Sequence, residues 1–85
     1  MDNRIKELIA IGASITANCQ PCLEYHVTKA RENAAEEDEI KQAIAIGKIV
    51  RKGAAGKMDQ HTSTMFGDTA ATADAAEEGG GCQLT

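Results

Sequence analysis

Residues 18–26 read NCQPCLEYH, and the way this stretch divides decides the fold. Asparagine tolerates the left-handed backbone conformation that ends helices, so Asn18 closes one helix. Proline is favoured in a first helical turn, where its missing N–H costs nothing, so Pro21 marks a second helix beginning around Cys19. Upstream, Ile5, Leu8, Ile9, Gly12, Ile15 and Thr16 recur at the spacing of one helical face. They predict a helix from Asp2 to about Ala17, with Asp2 or Asn3 as its cap. Downstream, Leu23, Val27, Ala30 and Ala34 form the stripe of the second helix.

A break near Asn33 follows, and the acids from Glu36 to Glu39 favour a helix start through the dipole. The third helix carries Ile40, Ala43, Ile44, Gly47 and Val50 toward a core. Ile46 and Ile49 lie on a second flank suited to contact with another chain. Gly53 and Gly56 predict a kink or break before a fourth, weaker helix holding Met58, Met65 and Phe66. No segment alternates as a strand does. The expectation is an all-α small helical bundle over residues 1–66, with residues 67–85 a flexible, acidic, glycine-ended tail.

The chain has 85 residues, enough for one domain that hides only about 60 to 65% of its unfolded surface. Apolar residues make up 42% but aromatics only 2%, so a core must come from small aliphatic side chains. Self-association would relieve that shortage. The net charge is −4 and basic residues are scattered, which argues against a nucleic-acid partner. The opening MDNRIKELIA has neither a signal peptide's pattern nor a membrane span, so a cytoplasmic location with no membrane partner is expected. Three cysteines are an odd count for a secreted disulfide framework; in a reducing compartment C-x-x-C reads as catalytic or metal-binding.

Cys19 and Cys22 stand three apart in the first turn of the second helix. There the N–H groups and the helix dipole stabilise a thiolate, and C-x-x-C thiols can be drawn down to about 3.5 to 7.5. The same spacing lets one sulfur close on the other within a turn, rescuing an oxidised sulfur before it over-oxidises. His26, four residues after Cys22, shares its helix face, and an imidazole can take a thiol proton. Nucleophile, resolving thiol and base are thus available without any bound cofactor or metal. Two plainer readings compete. The cluster could hold zinc in a non-catalytic binding or assembly module, but only His61 and Cys82 are available as a distant fourth ligand. Alternatively, both cysteines serve as small buried apolar groups.

The run ELIAIGASITANCQPCLEYHVTKARENAAEEDEIKQAIAIGKIVRKGAA, Glu7–Ala55, resembles the carboxymuconolactone decarboxylase superfamily, and specifically its alkylhydroperoxidase D-like branch. The resemblance implies an all-helical, peroxiredoxin-type thiol peroxidase or disulfide reductase that assembles as a homotrimer or homohexamer. Its substrate would be a peroxide or disulfide, its partner a thiol reductant. The branch's motif is a glutamate about a dozen residues before C-x-x-C-x-x-x-H, which falls on Glu7, Cys19, Cys22 and His26. By periodicity alone Glu7 lies across the helix from the apolar stripe and reads as solvated surface. The resemblance makes it the partner of His26. Well-known enzymes of the branch carry a second histidine just before the second cysteine; Pro21 stands there, which implies a shorter proton relay and weaker peroxidase activity, so that disulfide reduction gains ground on peroxide reduction. Decarboxylase-like acid–base chemistry through His26 and Glu7 is a further alternative.

Helix-end electrostatics, worth about 0.3 to 1 kcal/mol, favours Cys19 as the attacking sulfur. A positioned base supplies about 3 to 5 kcal/mol, which with the resemblance assigns attack to Cys22 and resolution to Cys19. Tyr25 points elsewhere on its helix and suits a subunit contact. His61 lies in the polar run DQHTST and reads as solvated. Cys82 is either an idle thiol or a swinging third thiol, the tail having a reach of about 20 to 25 Å.

Overall fold

The computed structural model describes residues 1–67, and among them the chain forms three helices and no strand. These are α1 (Asn3–Thr16), α2 (Gln20–Glu32) and α3 (Glu37–Phe66). The all-α expectation therefore holds. The tail expected over 67–85 lies outside the described residues from position 68 on, and Cys82 with it. The chain divides into two compact units, Met1–Gly53 and a second beginning at Ala54.

Asp2 caps α1, its Oδ1 accepting from the Arg4 N–H at 3.0 Å. Both α1 and α2 then end by one device. After α1, Asn18 takes the left-handed conformation (φ 57°), its N–H reaches the Ile15 carbonyl at 3.1 Å, and the Cys19 N–H reaches Ser14 at 3.0 Å. After α2, the left-handed residue is Ala34 (φ 68°), while the Ala35 N–H donates to the Ala30 carbonyl at 2.9 Å. Such paired bonds satisfy carbonyls that a helix end would otherwise leave bare. Ala34 is thereby lifted off the α2 stripe to which its spacing assigned it. Asn33, at the expected break, closes the helix by donating its side-chain amide to the Lys29 carbonyl at 2.8 Å.

At the start of α3, Glu39 reaches back to the Glu36 N–H at 2.9 Å, the acidic half of a capping box. Glu39 also pairs with Arg4 of α1. Arg31 grips Glu37 through two bonds of 2.8 and 3.0 Å. The hydrogen bond from Arg31 holds the Glu37 carboxyl below its ordinary value, and the Glu36 N–H, ahead of Arg4, does the same for Glu39.

In the unit Met1–Gly53, each helix contributes one side chain to the buried cluster: Ile11, Ala30 and Ile40. Leu8, Leu23, Val27 and Ile44 pack against it. The buried face of α1 is Glu7, Ile11, Ser14 and Ile15, which corrects the face centred on Ile5, Leu8 and Ile9. Ile5 and Ile9 remain 42% and 56% exposed. They line a groove of about 580 Å3 with Gly12, Ala43, Ile46 and Val50. Helix α1 thus carries two isoleucine-bearing flanks, one buried and one open. Here α1 and α3 approach closely: a Cβ placed on Gly47 would sit 2.6 Å from the Gly12 carbonyl oxygen and 2.7 Å from Ile15 Cβ.

The break expected at Gly53 and Gly56 does not occur, and no fourth helix forms among the described residues, because α3 continues to Phe66. Glycine retains its N–H, so the hydrogen-bond ladder is chemically intact and the cost is about 1 kcal/mol per residue. Neighbouring Ala54, Ala55, Lys57 and Met58 are good helix formers that offset it. No described helix is long and apolar enough to cross a membrane.

Candidate functional site

The site is built on the α1–α2 junction. The same closure that ends α1 fixes the Cys19 backbone, and Cys19 becomes the N-cap of α2 with an extended conformation. Its side-chain sulfur accepts the Cys22 N–H at 3.3 Å, the place a serine or aspartate oxygen takes in an ordinary cap. Pro21 sits in the first turn, as its missing donor allows. The two cysteines are joined as a disulfide, with Cα atoms 5.3 Å apart. Cys22 is exposed and Cys19 half-buried.

One turn beyond Cys22, His26 points at α1, where its Nδ1 lies 2.6 Å from Glu7 Oε1. Glu7 is only 9% exposed, so the surface position that periodicity assigned to it is wrong. The reason lies in its register: Glu7, Ile11, Ser14 and Ile15 follow the i, i+4, i+7, i+8 series of a single face. Against an ionised carboxylate, which can only accept, Nδ1 is the donor; in the neutral imidazole this leaves the lone pair on Nε2. The buried Ser14 hydroxyl is satisfied by the Ala10 carbonyl at 2.8 Å. His26 makes no hydrogen bond to either sulfur; the structure brings Glu7 to His26 and Cys19 to Cys22 as two separate pairs.

Tyr25 was expected to face away. Its ring instead meets the His26 ring edge-on, with centroids 5.0 Å apart and planes at 82°, and Lys29 Nζ lies 5.7 Å from its centroid. Adjacent residues on a helix are not stacked on one face, yet long rings can lean together; only this reach could have signalled the contact. A second feature, unmarked in the sequence, is Arg51 of α3. Its Nη1 donates to the Ile15 carbonyl at 3.3 Å and to Asn18 Oδ1 at 3.0 Å, bracing the turn that carries Cys19. Beside it a cavity of about 170 Å3 is bordered by Ser14, Asn18, Cys19, Gln20, Leu23 and Arg51. Among the described residues no group of three or more histidine, cysteine or acidic side chains could hold a metal ion. His61, on the exposed part of α3 within the second unit, joins no such group.

A family model described as the carboxymuconolactone decarboxylase family matches residues 1–57. The chain is 38% identical over 55 residues to "Uncharacterized protein 4 in cox locus" of Paracoccus denitrificans, an alignment covering 65% of this chain. It spans about half the length of that curated relative, 50%. No solved structure matches the chain.

Proposed function

Because the chain belongs to the carboxymuconolactone decarboxylase family, we propose that it is a thiol-dependent oxidoreductase of the alkylhydroperoxidase D-like branch. The observation that carries this reading is the Cys19–Cys22 disulfide seated on the first turn of α2. In the reduced form the N–H groups at the start of α2, one of which the Cys19 sulfur caps, favour a thiolate. Cys22 attacks the terminal oxygen of a peroxide; the O–O bond breaks, and the leaving oxygen takes a proton. The Cys22 sulfenic acid is then attacked by the Cys19 thiolate, which forms the disulfide and releases water after protonation. External thiols restore the pair. His26 Nε2 is the base for the Cys22 thiol, and Glu7 orients the ring through Nδ1 and balances its charge. A protein or small-molecule disulfide enters the same cycle in place of peroxide, and the enzyme works in a reducing cytoplasm.

Thiol titration before and after peroxide, with mass spectrometry of the linked peptides, tests the cycle. Two thiols should vanish together as a Cys19–Cys22 link. The Cys19→Ser protein should form a dimedone-trapped sulfenic acid on Cys22, while Cys22→Ser should form none. An adduct confined to Cys19 in Cys22→Ser would reverse the two roles. A second reading is favoured by the Glu7–His26 contact, which needs neither sulfur. Acid–base chemistry of the decarboxylase kind would survive in a Cys19→Ser/Cys22→Ser double variant, whereas the redox cycle would not.

A further inference from the structure

The cavity beside Cys19 has a composition that the redox cycle leaves unexplained. One of its lining side chains is cationic and none is acidic, in a chain whose net charge is −4. Only Nη1 of Arg51 is engaged by the described residues, with Ile15 and Asn18. The Nε–H and Nη2–H groups keep the forked geometry that matches a carboxylate. At about 170 Å3 the space equals only about six waters at 30 Å3 each, so a small group fills it. Of the two site sulfurs, Cys19 borders the cavity and Cys22 does not.

We propose that this cavity is the carboxylate subsite for the reducing partner, a small acidic thiol, with Arg51 as its specificity-determining residue. The inference rests on the redox reading above and extends it to the class of reductant. With the carboxylate held by Arg51, the thiolate of the same molecule, its proton already lost to solvent, attacks Cys19 Sγ from the cavity side. A bond forms between the reductant sulfur and Cys19, the Cys19–Cys22 bond breaks, and its electron pair leaves on Cys22 as a thiolate one turn from His26. A second acidic thiolate attacks the reductant sulfur of the mixed disulfide. It releases the reductant's own disulfide and returns Cys19 as a thiolate facing the Cys22 N–H. Two thiolates are oxidised to one disulfide, and one protein disulfide is reduced to two thiolates.

The test follows reduction of the oxidised full-length protein by 3-mercaptopropionate, by its methyl ester and by dithiothreitol, with rates expressed per thiolate. The wild type should favour the acid over the ester by at least about tenfold, the worth of one charge-assisted hydrogen bond, against the repulsion of a net negative protein. Arg51→Gln should abolish that preference, so that acid and ester react alike when each is scaled to dithiothreitol in the same variant. Arg51→Lys, which keeps the charge but not the fork, should retain part of it. Because Arg51 also braces the Asn18 turn, the two variants are compared at equal helicity. Mass spectrometry should find the trapped acid on Cys19. Equal rates for acid and ester in the wild type, or the adduct on Cys22, would overturn the subsite and leave the redox cycle standing. A disulfide that even dithiothreitol fails to open would sink both.

Discussion

Glu7 and His26 illustrate how far single residues can be read. The family resemblance paired them, and the structure sets them 2.6 Å apart, yet the helical pattern misplaced Glu7 because Ile5, Leu8 and Ile9 mark a second apolar flank beside the buried one. A buried acid on the face of Ile11 and Ile15 is the stronger signal, since burial without a partner is costly. Arg51 had no such marker. Its site meaning arises only when α3 meets the Asn18 turn, a contact across 33 residues. If His26 is the base, His26→Ala should slow alkylation of the reduced protein by iodoacetamide at neutral pH by about 10²-fold, the low end of general-base help. Glu7→Gln, which leaves an acceptor for Nδ1, should lose less. An alkylation rate unchanged by His26→Ala would remove the imidazole from the mechanism.

At the scale of elements, helix boundaries were legible wherever a local device set them. Asn18, Pro21 and the acids of α3 act through their own backbone neighbourhood, so sequence distance and physical distance coincide. The continuation of α3 through Gly53 and Gly56 was not legible, because a glycine's cost is small enough for good helix formers beside it to outweigh. Gly47 is the opposite case, where the missing Cβ admits the α1 backbone. Gly47→Ala should lower stability by about 1 to 3 kcal/mol, read as a drop in the urea midpoint, whereas Gly53→Ala, with open space around it, should stabilise slightly. A Gly47→Ala protein as stable as the parent would refute the close contact of α1 with α3.

The α2–α3 corner carries a pH dependence whose sign follows from its carboxylates. Glu37 and Glu39 are both held below the ordinary glutamate value of 4.5, the first mainly by Arg31 and the second mainly by the Glu36 N–H. Their stabilising contribution is complete above that value and is lost as pH falls through the depressed ones. Carboxyl-resolved NMR titration should find Glu37 below 4.5 in the parent and back near it in Arg31→Gln. A Glu37 that titrates alike in both proteins would mean that the ion pair does not form in solution.

At the scale of the whole molecule, the buried cluster of the unit Met1–Gly53 is thin for an independent domain. Ile11, Ala30 and Ile40 are its fully enclosed members, while Ile5, Ile9, Ile46 and Val50 face an open groove. A surface of that character is usually covered. We expect the protein to self-associate, as a trimer or hexamer, and sedimentation velocity at micromolar concentration to show it. Ile9→Lys with Ile46→Lys should shift the population toward monomer. A folded, monomeric parent at that concentration would exclude association as the means of covering the groove. The composition pointed this way, since a chain with 2% aromatics has few large groups to bury. Which faces stay open could not be read from it, because α1 offers two.

The scarcity of aromatic groups has one more consequence. The chain has no tryptophan and a single tyrosine, and that tyrosine's ring meets His26 in a T-shaped contact. Its ultraviolet emission is therefore not masked by brighter indoles, and a protonated imidazole in contact with a phenol quenches it. In the reduced, unlabelled protein, Tyr25 emission should therefore fall as His26 gains a proton and stay level in His26→Ala; an equal fall in both would show that the tyrosine does not report on the imidazole.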